Sequence, residues 1–384
     1  MNNSLKVLAV GDPAVNVYID PNFSIVDRFN QEHHVKVDFQ IIPWNNYYGK
    51  MIEVLEQKQE VDIVMVAGHL WIKDFVMRDY LAKVHYPKTN EYDKQDLLKV
   101  IRKEMEVDGV PYLYPSFCDG HILIYRKSLV KHLLGYDLPE AVDTDMILNL
   151  SKKLDGVGGM RGIALKAHQS EIFLDFIPYL RQEGTDAFDE ITHKPIFNNK
   201  KGITALKKYL SLKNFSPENT FTYGNDEVRK AFQQKKVAQA VTWGGQLGVV
   251  LDKRCIDVND VGFAALKTSW NVTWSFAIRK DSPNQELANQ FLAYLTSKEV
   301  DQLIGGYAGS PVRKSTYLKD INKYKWYNVH LQLIEKYAKP LPTMGKAGDK
   351  MSPLYYHLHQ AFIGNETAEE ALKRAEEEIM QVEG

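Results

Sequence analysis

The stretch 108–127, Asp-Gly-Val-Pro-Tyr-Leu-Tyr-Pro-Ser-Phe-Cys-Asp-Gly-His-Ile-Leu-Ile-Tyr-Arg-Lys, limits what this chain can fold into more than any other. It opens on an Asp-Gly turn signal, carries prolines at 111 and 115, and ends in an alternating strand pattern. Proline lacks the N–H that a central ladder needs. The segment therefore suits an extended connector passing between two bodies better than a strand buried inside one. On that reading Tyr112, Tyr114, Phe117 and Asp119 lie where the bodies face each other; the alternative is a surface loop followed by an ordinary strand.

Two bodies also fit the length, because 384 residues are too many for one ordinary core. Lys and Arg number 48 against 49 Asp and Glu, a formal charge of −1. That balance offers nothing to recruit nucleic acid or an anionic membrane. No stretch approaches the ~20 uninterrupted apolar residues of a membrane span. Cys118 and Cys255 are the only cysteines, which excludes a disulfide scaffold and a Cys-based zinc module; whether the two pair is left open. The densest histidines, His33-His34 and His357-Leu-His359, are one or two residues apart, so on a helix they do not share a face. They read as solvated surface side chains, and neither a metal site nor a cofactor is expected.

Strand and helix patterns alternate from the start. Strands are expected over 5–10, 35–42 and 61–66, with helices over 21–30 and after 46. Alternation of this kind implies parallel pairing and an α/β lobe. In open α/β sheets ligands bind beyond the carboxyl ends of the strands. The loop positions there hold Asp12, Trp44 with Asn45, and His69 with Trp71.

After the connector comes a helix-rich region, with Asp143 placed to cap a helix over 143–154 and further helices over 171–180, 203–212 and 225–235. A strand over 237–242 runs into Trp243-Gly-Gly-Gln246. Two glycines beside an indole leave room for a flat ring, with Gln246 in hydrogen-bonding reach; a buried hairpin tryptophan is the blander alternative. The segment 271–279, near Trp270 and holding Trp274, is a further candidate to cross between bodies. An amphipathic helix is expected over 286–296, then a loop over 305–313 containing Tyr307 and Arg313, and helices to the end. No flexible linker separates the bodies, so the crossing strands are expected to act as a hinge.

The order of Asp108-Gly-Val-Pro-Tyr, Tyr125-Arg-Lys, Val241-Thr-Trp-Gly-Gly, Trp274-Ser-Phe-Ala-Ile-Arg-Lys-Asp-Ser-Pro-Asn and Gly309-Ser-Pro-Val-Arg-Lys-Ser resembles the extracellular solute-binding proteins of ABC importers, in the sugar-binding group that includes maltose-binding protein. The resemblance implies an α/β, two-lobed periplasmic-binding-protein-like fold (type II) with an interlobe cleft. The first lobe would comprise 1–110 plus 270–307 and the second 111–269 plus 308–384. It implies a carbohydrate ligand, an oligosaccharide above all, delivered without catalysis by a monomer to ABC permease subunits. The resemblance and the reading of the residues together give as expected site residues Trp243, Trp270, Trp274, Trp44, Asn45, Asp12, His69, Trp71, Tyr114, Asp119, Glu171, Gln246, Tyr307 and Arg313. The expected location is the extracellular face of the cytoplasmic membrane or the periplasm, as a lipoprotein. The family's export signal is not seen at Met1-Asn-Asn-Ser.

Two other classes compete. A glycan-degrading enzyme needs two carboxylates facing each other, one with a raised pKa; Asp12, Asp119 and Glu171 are candidates without a distinctive pairing. An acidic sugar or a peptide would call on cations, and Arg313, Lys166, His69 and His168 could face a carboxylate.

Overall fold

The computed structural model describes residues 4–57, 59–90 and 92–382, with the side chain of His69 outside that set. Its strands, in chain order, are β1 (Ser4–Val10), β2 (Lys36–Ile42), β3 (Ile63–Ala67), the short β4 (Glu106–Val107) and β5 (Val110–Pro111), and the long β6 (Leu113–Arg126). After these come β7 (Ala141–Val142), β8 (Arg161–Ala164), β9 (Val237–Trp243), β10 (Val261–Leu266) and β11 (Asn271–Ile278). The chain divides into two compact units. The first takes 1–119, 272–327 and 343–345; the second takes 120–271, 328–342 and 346–384.

In the first unit β1 lies between β2 and β3, parallel to both, and β11 runs antiparallel along β3. β3 is buried at every position, and Leu5, Val7, Leu8 and Ala9 of β1 are buried too. Such continuous apolar runs are what a parallel sheet covered on both faces requires. Each fully buried aliphatic side chain contributes about 1.5–3 kcal/mol. Buried Asp62 ties the sheet's far end together, accepting from the Lys6 amide, the Ser282 hydroxyl and the Asn284 amide.

In the second unit the order is β8, β9, β6, β10, β7. β8 and β9 are parallel, whereas β6 is antiparallel to both β9 and β10. Helices Thr144–Leu154, Ile172–Gln182, Lys200–Ser211, Ala347–Ile363 and Ala368–Val382 belong to this unit. Asp143 caps the first of them by accepting from the Met146 amide at 2.9 Å.

The connector is one buried fourteen-residue strand that passes from the first unit to the second between Asp119 and Gly120. Its ladder to β9 and β10 spans His121–Arg126, downstream of Pro115, so the proline is not asked to donate to either.

Several sequence expectations are corrected. Residues 67–71 are not a loop: β3 leads directly into helix Gly68–Met77, which carries His69 and Trp71. Helix Lys298–Tyr307 runs through Gly305 and Gly306, expected to lie in a loop. Glycine serves packing there, because an added Cβ would fall 2.5 Å from the Tyr327 hydroxyl and 2.2 Å from that of Tyr324. His357 is not a solvated histidine but is buried, with Glu366 and Glu378 on its two ring nitrogens. Cys118 and Cys255 are both buried thiols.

Candidate functional site

The parallel strands β1, β2 and β3 all end at one edge of the first unit's sheet, and side chains gather there. Asp12, two residues past β1, caps helix Pro13–Ile19 by accepting from the Ala14 amide at 2.8 Å. Trp44 opens helix Trp44–Glu56 just past β2, beside exposed Asn45. Trp71 lies one turn into the helix after β3.

Trp274 joins them because β11 pairs it with Ala67, the last residue of β3. Its ring centre is 5.7 Å from those of Trp44 and Trp71, 6.0 Å from Tyr47 and 6.4 Å from Phe117. Most of these contacts are edge-to-face, the arrangement that opposed ring quadrupoles favour. Tyr47 is itself pinned, donating to the Met65 carbonyl at 2.6 Å. Tyr47 was missed as a site residue. Tyr47 read as ordinary helix, and nothing local in the sequence announces its contact with Trp274.

Asp12, past the end of β1, has a second carboxyl group close enough to act on it. Burial, then the nearby Asp119 carboxylate, push the Asp12 carboxyl well above the usual range. Asp119 is buried in β6. Burial and a neighbouring carboxylate both favour the protonated form of such a carboxyl. Such a pair can both donate to and accept from a hydroxyl group.

The second unit repeats the placement with different chemistry. β9 ends at Trp243 and the parallel β8 ends two residues before Lys166. Trp243 is only 5% exposed. Its ring centre is 4.5 Å from the His121 ring and 5.6 Å from Trp270, and the Lys166 Nζ sits 4.3 Å from it. The glycine after it is required by close approach, since a Cβ on Gly244 would fall 2.1 Å from the His330 ring. Gln246 is buried in the turn that follows.

His121 was also missed. Its Nε2–H donates to the Leu174 carbonyl at 3.0 Å, which leaves Nδ1 to accept from the Trp270 amide at 3.3 Å. Burial, then the Lys166 ammonium, hold its pKa well below the ordinary value, so the ring is neutral.

Other nominated residues lie apart from these clusters. Tyr114 packs edge-on against Tyr86 and Tyr92 and donates to the His85 carbonyl. Arg313 is wholly buried, its guanidinium spent on the carbonyls of Tyr92, Asp93 and Thr296. Tyr307 is 49% exposed, edge-on to Phe23. Glu171 accepts from the Asn225 amide at 3.3 Å. Lys166 is paired with Asp175 and His168 with the Ser170 hydroxyl, so the cations considered for an acidic cargo are largely engaged within the protein. Among the described residues no group of three or more His, Cys, Asp or Glu side chains is arranged to hold a metal ion. Among the same residues no helix is long and apolar enough to cross a membrane.

Residues 24–302 match the family model of bacterial extracellular solute-binding proteins. The chain belongs to that family. Its members bind solutes rather than transform them, so the carboxyl pair is not the acid–base pair of a hydrolase. This solute-binding protein is similar to the mannitol-binding protein of Pseudomonas aeruginosa, with 29% identity over 244 residues, 59% of this chain and 56% of that one. It is also similar to a probable amino-acid ABC transporter periplasmic-binding protein of Sinorhizobium fredii, 23% identical over 307 residues, 76% of this chain and 69% of the other. The maltose-bound MalE3 of T. maritima has the same α/β fold, with a TM-score of 0.88 at 20% identity over 99% of both chains.

Proposed function

We propose that this solute-binding protein takes up a polyol or sugar and passes it unaltered to the permease subunits of an ABC importer. It would act as a monomer outside the cytoplasmic membrane, in the periplasm or as a lipoprotein at the membrane's outer face. The observation that carries the reading is the cluster of Trp44, Trp71 and Trp274 in the first unit, where the parallel strands end and where Asp12, acted on by Asp119, follows β1. A polyhydroxylated carbon chain has C–H surfaces that pack on aromatic rings and hydroxyls that both donate and accept. Aromatic rings, and a buried carboxyl pushed toward its protonated form near a second one, meet both needs. We assign Asn45 to ligand contact in the first unit and Trp243, Trp270 and Gln246 to ligand contact in the second. The mannitol-binding relative makes D-mannitol the first compound to test.

An amino-acid cargo is the second reading, favoured by the Sinorhizobium relative. An α-carboxylate calls for an available cation, and Lys166 and Arg313 are both engaged internally. Thermal shift and calorimetry against D-mannitol, maltose, a longer maltooligosaccharide and a mixture of amino acids separate the cases. A ligand bound at a hundred times its Kd stabilises the folded chain by about 2.7 kcal/mol. A rise with mannitol or a sugar supports the proposal; a rise with amino acids alone overturns it.

A further inference from the structure

Lys166 is completely buried, and every direction its ammonium can point is accounted for. Nζ lies 2.9 Å from Asp175 Oδ1, donates to the Val241 carbonyl at 2.8 Å, and stands 4.3 Å from the centre of the Trp243 ring. Asp175 is anchored in turn, its Oδ2 accepting from the Tyr209 hydroxyl at 3.1 Å and from the Lys166 amide at 3.2 Å. A buried ion pair is a poor device for stability alone. Removing two charges from water costs several kcal/mol, and an apolar pair of similar volume often serves as well. Its placement, with one partner on an indole face and on the carbonyl two residues before that indole, points to another use.

We infer that Lys166, held by Asp175, is a positioning residue for Trp243, fixing the plane of the indole before any ligand arrives. The inference rests on the reading above that Trp243 takes part in holding the ligand. The ammonium binds the ring by cation–π attraction and the preceding strand by a hydrogen bond. Turning the ring would break the first while the second stays fixed. Trp243 therefore gives up little rotamer freedom on binding, which is how preorganisation raises affinity. His121 and Trp270 border the same ring, and the neutral imidazole leaves Lys166 as the cation on it.

The test uses protein labelled with 5-fluorotryptophan, the Trp243 resonance being assigned through Trp243→Phe. In the double variant Lys166→Met/Asp175→Leu, both charges go and volume is roughly kept. The expected result is that the Trp243 fluorine signal shifts more than those of the other tryptophans and broadens, and that D-mannitol binds about tenfold more weakly. Asp175→Asn, which keeps the lysine but loosens its anchor, should move the same signal in a smaller degree and serves if the double variant does not fold. A Trp243 signal unmoved in the folded variants overturns the inference whether or not mannitol binds. Absence of mannitol binding by the unaltered protein counts against the functional reading alone, since the fluorine measurement needs no ligand. Full mannitol affinity in a double variant whose Trp243 signal has moved overturns the link between ring placement and binding.

Discussion

The two units solve one architectural problem with opposite electrostatics. Each collects tryptophans where parallel strands end. The first gathers Trp44, Trp71 and Trp274 and also holds the Asp12 and Asp119 carboxyls, and the second sets Trp243 and Trp270 beside an imidazole and an ammonium. In the first unit the Asp12 carboxyl is pushed toward its protonated form, and in the second the His121 ring is pushed toward its neutral form. Both outcomes follow from burial, which penalises the charged form of either group. Position at the strand ends is thus shared, and the chemistry offered there is set by which polar groups are buried with the rings.

The largest expected effect tests whether the two aromatic clusters are equally structural. Trp274→Ala removes the centre of a four-partner cluster and should cost about 3–5 kcal/mol in denaturant unfolding. Trp243→Ala should also destabilise, because the ring is buried against His121, Trp270 and Lys166 rather than laid open as a platform. A Trp243→Ala protein with unchanged unfolding would break the parallel between the units. Next comes Gly244→Ala, expected to cost about 1–3 kcal/mol because the new Cβ must displace the His330 ring. An unchanged midpoint would show that the turn after β9 yields without strain.

The pH dependence should differ in sign between the units. An acid whose pKa is raised by folding holds its proton more tightly in the folded chain, so its contribution declines as pH rises from the usual carboxylate range to the raised value. Asp12 should behave so, and Asp12→Asn, which keeps the helix cap, should flatten the fall in melting temperature as pH rises above the usual carboxylate range. A histidine whose pKa is lowered by folding has the reverse effect. Its stability is full above the ordinary value of about 6.5 and is lost as pH falls below it. His121→Gln should therefore reduce the acid-side slope, whatever its cost at neutral pH. Scanning calorimetry from acid to alkaline buffer reads both slopes; identical pH profiles for the two variants would remove the distinction. The smallest effect belongs to exposed Asn45, where Asn45→Ala should change stability by less than about 0.5 kcal/mol while weakening ligand binding in calorimetry.

The sequence carried the fold well where periodicity was strong. The runs that became β1, β2 and β3, and helices Gln285–Leu295 and Ala368–Val382, repeat apolar residues at strand or helix spacing over enough positions to be read alone. It also pointed to the strand-end residues Asp12, Trp44 and Trp71, because parallel strands share a carboxyl edge. What it concealed depends on contacts distant in the chain. Gly305 and Gly306 look like loop residues until Tyr324 and Tyr327 pack against them. Trp274 reaches Trp71 only through its register opposite Ala67, and no local pattern states a register. The pairings of Lys166 with Asp175 and of His357 with Glu366 turn apparent surface charges into interior ones, and spacing alone does not reveal them.

Because the polypeptide leaves the first unit after Asp119 and returns at Val272, that unit is finished late in translation. Until β11 emerges from the ribosome, β3 has an unpaired backbone edge of five apolar residues, a template for wrong partners. A nascent chain stalled between Asp119 and Val272, or a gene cut within that stretch, would therefore yield an adhesive fragment rather than half a working protein.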